Sequence, residues 1–217
     1  MKLLTFDKIL QAKINPLSCY DWVEEVLKRK DESILPAKIS LEPNIAEVFY
    51  NVMPSILLWK NWAGVKLVTR YPQRKPVLDS QILLYDLTTG KNLALVDGNW
   101  ITSMRTGAVA AHSVKLLAVN HFSTIGIIGL GNTARAFLLV LLSLYPNKPL
   151  TVKIKKYKDQ HDLFIKRFSE FHNIEFICCE TLRETVDNAD VVVSAVTFFE
   201  NDVFEDYRFK EGVLLVP

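Results

Sequence analysis

Apolar positions along this chain of 217 residues keep two different rhythms, one after the other. Residues 18–30, SCYDWVEEVLKRK, bring Trp22, Val23, Val26 and Leu27 round at helical spacing. Acids come early and bases late, as a helix dipole favours. After Pro36 the period falls towards two. Ile39 and Leu41, Val48 and Tyr50 up to Met53-Pro54, Ile56 to Trp59, Val65 to Thr69 and Gln81 to Tyr85 read as strands. Pro72 and Pro76 bracket a polar loop, and Thr88-Thr89-Gly90-Lys91 has the composition of a hairpin turn before Leu93 to Val96. Trp100 to Leu117 then returns to helical spacing with few breakers.

From Ser123 strand and helix patterns alternate. Strands are expected at Thr124–Ile128, Leu150–Ile154, Ile174–Cys178, Asp190–Ala195 and Val213–Val216, and helices at 132–144, 158–171 and 180–188. Short apolar strands separated by helices make a doubly wound parallel sheet. The chain therefore reads as α/β: a mixed α/β part over 1–119, mostly antiparallel, and a Rossmann-type parallel sheet over 120–217. There are no internal repeats, and the boundary rests on the change of period alone.

Within the second part the stretch Ser123 to Arg135 carries the chemistry. Ile125 to Ile128 leads into Gly129-Leu-Gly131-Asn132-Thr133-Ala134 and then the apolar run Phe137 to Leu144. A strand, a glycine turn and a helix in that order turn G-x-G-x-x-A into a dinucleotide-binding expectation. Gly129 allows the tight turn, Gly131 lets a pyrophosphate approach the backbone, and Ala134 lets the helix lie close to the strand. The phosphates would meet the free N–H groups of the helix start, including those of Asn132 and Thr133. The bland alternative is an ordinary glycine-containing βα turn. NAD-type domains place an acid about 20 residues after the glycines to hold the ribose hydroxyls. Here that region is Lys153-Ile-Lys155-Lys156-Tyr157-Lys158, with Lys156 near the acidic position. Bases there favour a 2′-phosphate, so NADP is preferred over NAD; otherwise these lysines are a solvated strand end. Ser194 and Thr197, at the carboxyl edge of the fourth strand, stand where such sheets bind ligands.

Composition narrows little further. A formal net charge of +2 gives no reason to expect a nucleic-acid partner. Cys19, Cys178 and Cys179 form neither a disulfide framework nor a metal pattern, and the four histidines lack metal spacing. Asp7 and Lys8 come too soon for a signal peptide, and no apolar run reaches the ~20 residues that span a bilayer. A cytoplasmic protein without a membrane partner is expected.

An ordered set of motifs then points further. Met53-Pro54, Gly64-Val-Lys66-Leu-Val, Pro72, Leu84-Tyr85-Asp86, Thr89-Gly90, Leu93-Ala94, Asp97-Gly98 and above all Ile101-Thr-Ser-Met-Arg105-Thr106-Gly-Ala precede the glycine loop. In this order they resemble the ornithine cyclodeaminase/mu-crystallin family. The resemblance implies a substrate and dimer-forming domain, an NAD(P)-binding Rossmann domain, and hydride exchange at the carbon bearing an amino or imino group. It also implies a small amino-acid or imino-acid substrate, a homodimer, and Lys66 and Arg105 as carboxylate binders, Lys66 also assisting proton movement. Arg105 offers a bidentate fork and Lys66 a point charge. On residue type alone the two would be a strand-surface lysine and a helix-surface arginine. Thr106 and Ser103 could bond cofactor or substrate, or simply the helix backbone. Asp97-Gly98 reads as a structural turn.

Departures accompany the matches. The family's third cation, an upstream arginine, has only Lys38 as a counterpart, and the glycine-leucine-proline-threonine run after Pro72 is replaced by Lys75-Pro76-Val77-Leu78. The family's catalytic aspartate, the sheet's final strand and the returning helices would fall beyond Pro217. That leaves a shortened chain or one without the general base, and an apolar sheet edge that needs cover. A dinucleotide- and carboxylate-binding protein without turnover is therefore the alternative to an enzyme, with a ligand-free scaffold a distant third.

Overall fold

The computed structural model describes residues 1–196 and 204–217, which form two units, Met1–Ser103 and Met104–Pro217. The α/β reading holds, and the change of rhythm corresponds to two different sheets.

The first unit is a seven-stranded sheet built around a meander. Strands β4 (Phe49–Leu57), β5 (Trp62–Arg70), β6 (Leu78–Asp86) and β7 (Asn92–Asp97) pair antiparallel in sequence order. β1 (Lys2–Leu4) lies parallel to β7, while β2 (Ser33–Ile34) and β3 (Ile39–Leu41) pair with opposite ends of β4. That division explains a proline inside a nine-residue strand. Pro54 sits in the gap between the two short partners, where its missing N–H costs no ladder bond. Between β6 and β7, Asp86 Oδ1 accepts the Thr89 N–H at 2.8 Å and Gly90 takes φ +67°, the turn expected there.

Helices α1 (Phe6–Gln11), α2 (Pro16–Lys28) and the start of α3 (Asn99–Leu117) complete this unit. Asn15 caps α2, its Oδ1 accepting from Leu17 N–H, with Pro16 at the first helical position. One face of the sheet presents Ile82, Leu84, Ala94 and Val96 to Ile9, Ile14, Trp100 and Ile101. The opposite face keeps an apolar groove of about 240 Å³ lined by Ile34, Pro36, Pro54, Ile56, Val65 and Tyr85.

The second unit is a five-stranded parallel sheet. Its elements alternate: β8 (Thr124–Ile128), α4 (Asn132–Leu144), β9 (Leu150–Lys155), α5 (Gln160–Lys166), β10 (Ile174–Cys179), α6 (Leu182–Val186), β11 (Val191–Ser194) and β12 (Leu214–Val216). Strand order β10-β9-β8-β11-β12 places the topological switch between β8 and β11. Ile125, Ile127, Val152, Ile154 and Val191 have no solvent exposure, which is why these strands read as apolar runs. The later part of α3 lies close against α4 at Gly107, where a Cβ would come within 2.3 Å of Phe137 N.

Three local expectations needed correction. The strand drawn from Ile56 to Trp59 stops at Leu57, because Leu58–Lys60 is a 3-10 turn closed by Asn61 at φ 56°. The helix drawn over 158–171 is regular only from Gln160 to Lys166. Beyond it Phe168 N–H bonds Ile165 O and Phe171 N–H bonds Phe168 O, three-residue turns that bury Phe168 instead of prolonging the helix. β1 and α1 were missed: β1 exists through its distant partner β7, and α1 is only six residues long.

Candidate active site

The glycine turn joins β8 to α4 at the switch point. Gly129 takes φ +88°, and a Cβ on it would stand 2.8 Å from both Ala195 O and Val196 Cγ1, so the end of β11 excludes any larger residue. Gly131 differs. Its φ is −79° and a Cβ there would meet no atom of the described residues within 4 Å, so none of them closes the space above it. Gly131 is also the N-cap of α4, with no side-chain bond to the helix start, which leaves the first-turn N–H groups of Asn132, Thr133 and Ala134 without a cap. Ala134 is wholly buried. An open approach over Gly131 onto an uncapped 13-residue helix fits the pyrophosphate of a dinucleotide.

Two further expected positions share that edge of the sheet. Ser194 ends β11, half-buried, in register with Ile128. Lys156 follows β9, but its ammonium is paired with Glu180 at 2.5 Å. Thr197 lies outside the described residues. The opposite edge of the sheet, at the strands' amino ends, is held by Asp190, which went unnoticed in the sequence. Its Oδ2 accepts the N–H groups of Ser123 at 2.8 Å and Thr124 at 3.0 Å, and Lys210 Nζ donates to Oδ1. Burial alone would raise the Asp190 pKa, but these donors and the Lys210 charge outweigh it and hold the carboxyl below its usual value.

In the first unit, the register Lys66↔Ile82 puts Lys66 on the sheet face that carries Ile82. Lys66 Nζ reaches Thr102 Oγ1 at 3.5 Å, the outer limit of a hydrogen bond, and Thr102 Oγ1 lies 3.1 Å from Ser80 Oγ. Sequence reasoning missed Thr102 and Ser80 as neighbours of Lys66, although the helical spacing from Thr102 to Arg105 was a usable signal. Ser80 also accounts for Gly98: a Cβ there would lie 2.3 Å from Ser80 Oγ. The Asp97-Gly98 turn is structural as expected, Asp97 Oδ1 accepting the Asn99 N–H at 2.9 Å.

Further along α3, Ser103 Oγ bonds its own helix at Asn99 O and is committed there. Thr106 is half-buried. Arg105 makes no hydrogen bond or ion pair among the described residues. Solvent reaches its side chain, yet the protein around it desolvates the guanidinium enough to lower its pKa. A partly desolvated cation without a counter-ion is a receptor for an anion such as a carboxylate. Lys38 is exposed. Among the described residues no group of three or more His, Cys, Asp or Glu could hold a metal ion, and no helix is long and apolar enough to cross a membrane.

Comparison with known proteins identifies the family. Residues 3–217 match the model of the ornithine cyclodeaminase/mu-crystallin family. The Delta(1)-pyrroline-2-carboxylate reductase of Bacillus cereus is 25% identical over 187 residues, covering 84% of this chain and 57% of that protein. Among solved structures, Thermococcus litoralis Delta(1)-pyrroline-2-carboxylate reductase in complex with NADH and L-proline superposes with a TM-score of 0.79 at 28% identity, over 89% of this chain and 61% of its own. An archaeal alanine dehydrogenase dimer with bound NAD gives a TM-score of 0.76 at 26% identity, over 88% of this chain and 59% of its own. The chain thus spans somewhat over half the length of these relatives.

Proposed function

Starting from the fact that this chain belongs to the ornithine cyclodeaminase/mu-crystallin family, we propose that it is an NAD(P)-dependent oxidoreductase acting on a cyclic imino acid or an amino acid. The observation that carries this reading is the β8–α4 junction, with its strained Gly129, its open Gly131 and its uncapped helix start. A nicotinamide cofactor, when bound, supplies or accepts the hydride at the substrate's α-carbon. Everything else falls to side chains. Arg105, desolvated and without a partner among the described residues, holds the carboxylate common to amino and imino acids. Lys66 adds a second positive charge and, hydrogen-bonded to Thr102, can move a proton to or from the substrate nitrogen. Gly129, Gly131, Asn132, Thr133, Ala134 and Lys156 hold the dinucleotide, with Ser194 and Thr106 as additional hydroxyl contacts. The lysines at 155, 156 and 158 favour NADP(H) over NAD(H).

In the same reading residues 1–119 serve the substrate and self-association, and residues 120–217 serve the cofactor. The exposed apolar face of the first sheet, where the groove lies and Leu67 is 36% exposed, suits a homodimer, which light scattering on the purified chain would register as twice the monomer mass. Three free cysteines suit a cytoplasmic location. The test is oxidation of NADPH or NADH in the presence of Delta(1)-pyrroline-2-carboxylate. Imine-dependent oxidation with formation of proline is expected. Tight nucleotide binding without turnover of this imine, of other cyclic imines, or of ornithine or alanine in the reverse direction would instead make the protein a dinucleotide-binding member of the family.

A further inference from the structure

The end of β9 lacks the ribose-binding acid of NAD-type domains, but a carboxylate reaches it from the neighbouring strand. β10 runs parallel to β9 with Cys179 in register with Lys155, so the next residues, Glu180 and Lys156, come side by side. Lys156 N–H donates to Cys179 O at 2.8 Å and its Nζ donates to Glu180 Oε1 at 2.5 Å. Glu180 is itself held. Its N–H donates to Glu184 Oε2 at 2.9 Å, and Thr181, the N-cap of α6, accepts the Glu184 N–H at 3.1 Å. The Glu180 hydrogen bond and charge, with smaller effects of Cys178 and Glu184, raise the Lys156 pKa. The lysine at the ribose position is therefore a paired cation, and its partner stands on a fixed turn.

We propose that Glu180 sets the cofactor preference by competing with the 2′-phosphate of NADP(H) for Lys156. This rests on the dinucleotide reading above and deepens it. NAD(H) carries a hydroxyl at that position and leaves the Lys156–Glu180 pair intact. NADP(H) must draw Lys156 away from Glu180 and set a phosphate near the remaining carboxylate, so Glu180 weakens NADP(H) selectively. It acts through Lys156 and positions it; it is not a catalytic residue. Both partners are largely exposed, so the pair contributes little to folding and its removal leaves the fold in place.

The test is titration of NADPH and NADH, followed by nucleotide fluorescence, on the wild-type chain and on Glu180→Gln, Lys156→Met and the double variant. Glu180→Gln should tighten NADPH about fivefold, in line with loss of one partly screened competing charge, and change NADH less than about twofold. In the Lys156→Met background the same substitution should shift the NADPH to NADH ratio less than about twofold, and higher salt should shrink the Glu180→Gln effect. An unchanged ratio in Glu180→Gln, equal tightening of both nucleotides, or a full shift persisting without Lys156 would each overturn the proposal while leaving the dinucleotide reading intact. Failure of both nucleotides to bind the wild-type chain would overturn both.

Discussion

At the β8–α4 junction the candidate site is made of backbone: a glycine at positive φ, a second glycine under open space, and helix N–H groups without a cap. In the first unit the candidate group is a side chain, Lys66 on half-exposed β5 reaching Thr102 on α3; in the second, Arg105 has no partner among the described residues. The first arrangement depends on a parallel sheet whose central strands β8 and β11 are almost wholly buried, because only a rigid frame holds a strained turn in place. The second needs only the right charge on an ordered surface. Substitutions should therefore divide: a change at the strained Gly129 destabilises the fold, and changes at Gly131 or at the charged side chains leave it folded and impair binding or activity.

Gly129→Val should show the largest effect, a loss of about 3 kcal/mol in urea unfolding, since a β-branched residue must adopt positive φ and push on Ala195 O. Asp190→Asn should cost about 2 kcal/mol by leaving the N–H groups of Ser123 and Thr124 with a poorer acceptor and Lys210 without its charge partner. The pH dependence has a definite sign. The Asp190 pKa is lower in the folded chain than its unfolded value of about 3.9, so its contribution is complete above that pH and is lost as pH falls through the folded value. Melting temperatures over the acid range should fall less steeply for Asp190→Asn than for wild type.

Arg105→Met tests the other side of the comparison. It should raise the KM for an imino or amino acid about thirtyfold while the melting temperature stays level or rises, because a desolvated cation with no partner among the described residues is removed. Gly131→Ala separates the two glycines most finely. With no atom of the described residues within 4 Å of its Cβ, it should change stability by less than about 1 kcal/mol yet weaken nucleotide binding about tenfold. Equal stability losses at Gly129 and Gly131 would erase the distinction between frame and cradle.

The same contrast explains what could be read beforehand. β8 and α4 match their expected limits, since buried parallel strands are unbroken apolar runs and the glycine pattern is local. β1 could not be read, because it is a strand only by pairing with β7 some ninety residues away. Pro54 looked like a strand terminator and is not, for a reason that lies in the placement of β2 and β3. Lys66 and Arg105 emerged from the ordered motifs and not from their surroundings. Glu180 stayed hidden because its nearness to Lys156 comes from the register of two strands. Asp190 stayed hidden because the groups it binds, Ser123 and Thr124, are far from it in sequence.

The most direct measurement follows the hydride itself. The protein would be given NADPH deuterated at the transferable position together with Delta(1)-pyrroline-2-carboxylate, and the proline recovered would be examined by mass spectrometry. Deuterium at the α-carbon, lost in Arg105→Met at the same substrate concentration, is the predicted result. Saturable nucleotide binding with no labelled proline would contradict it.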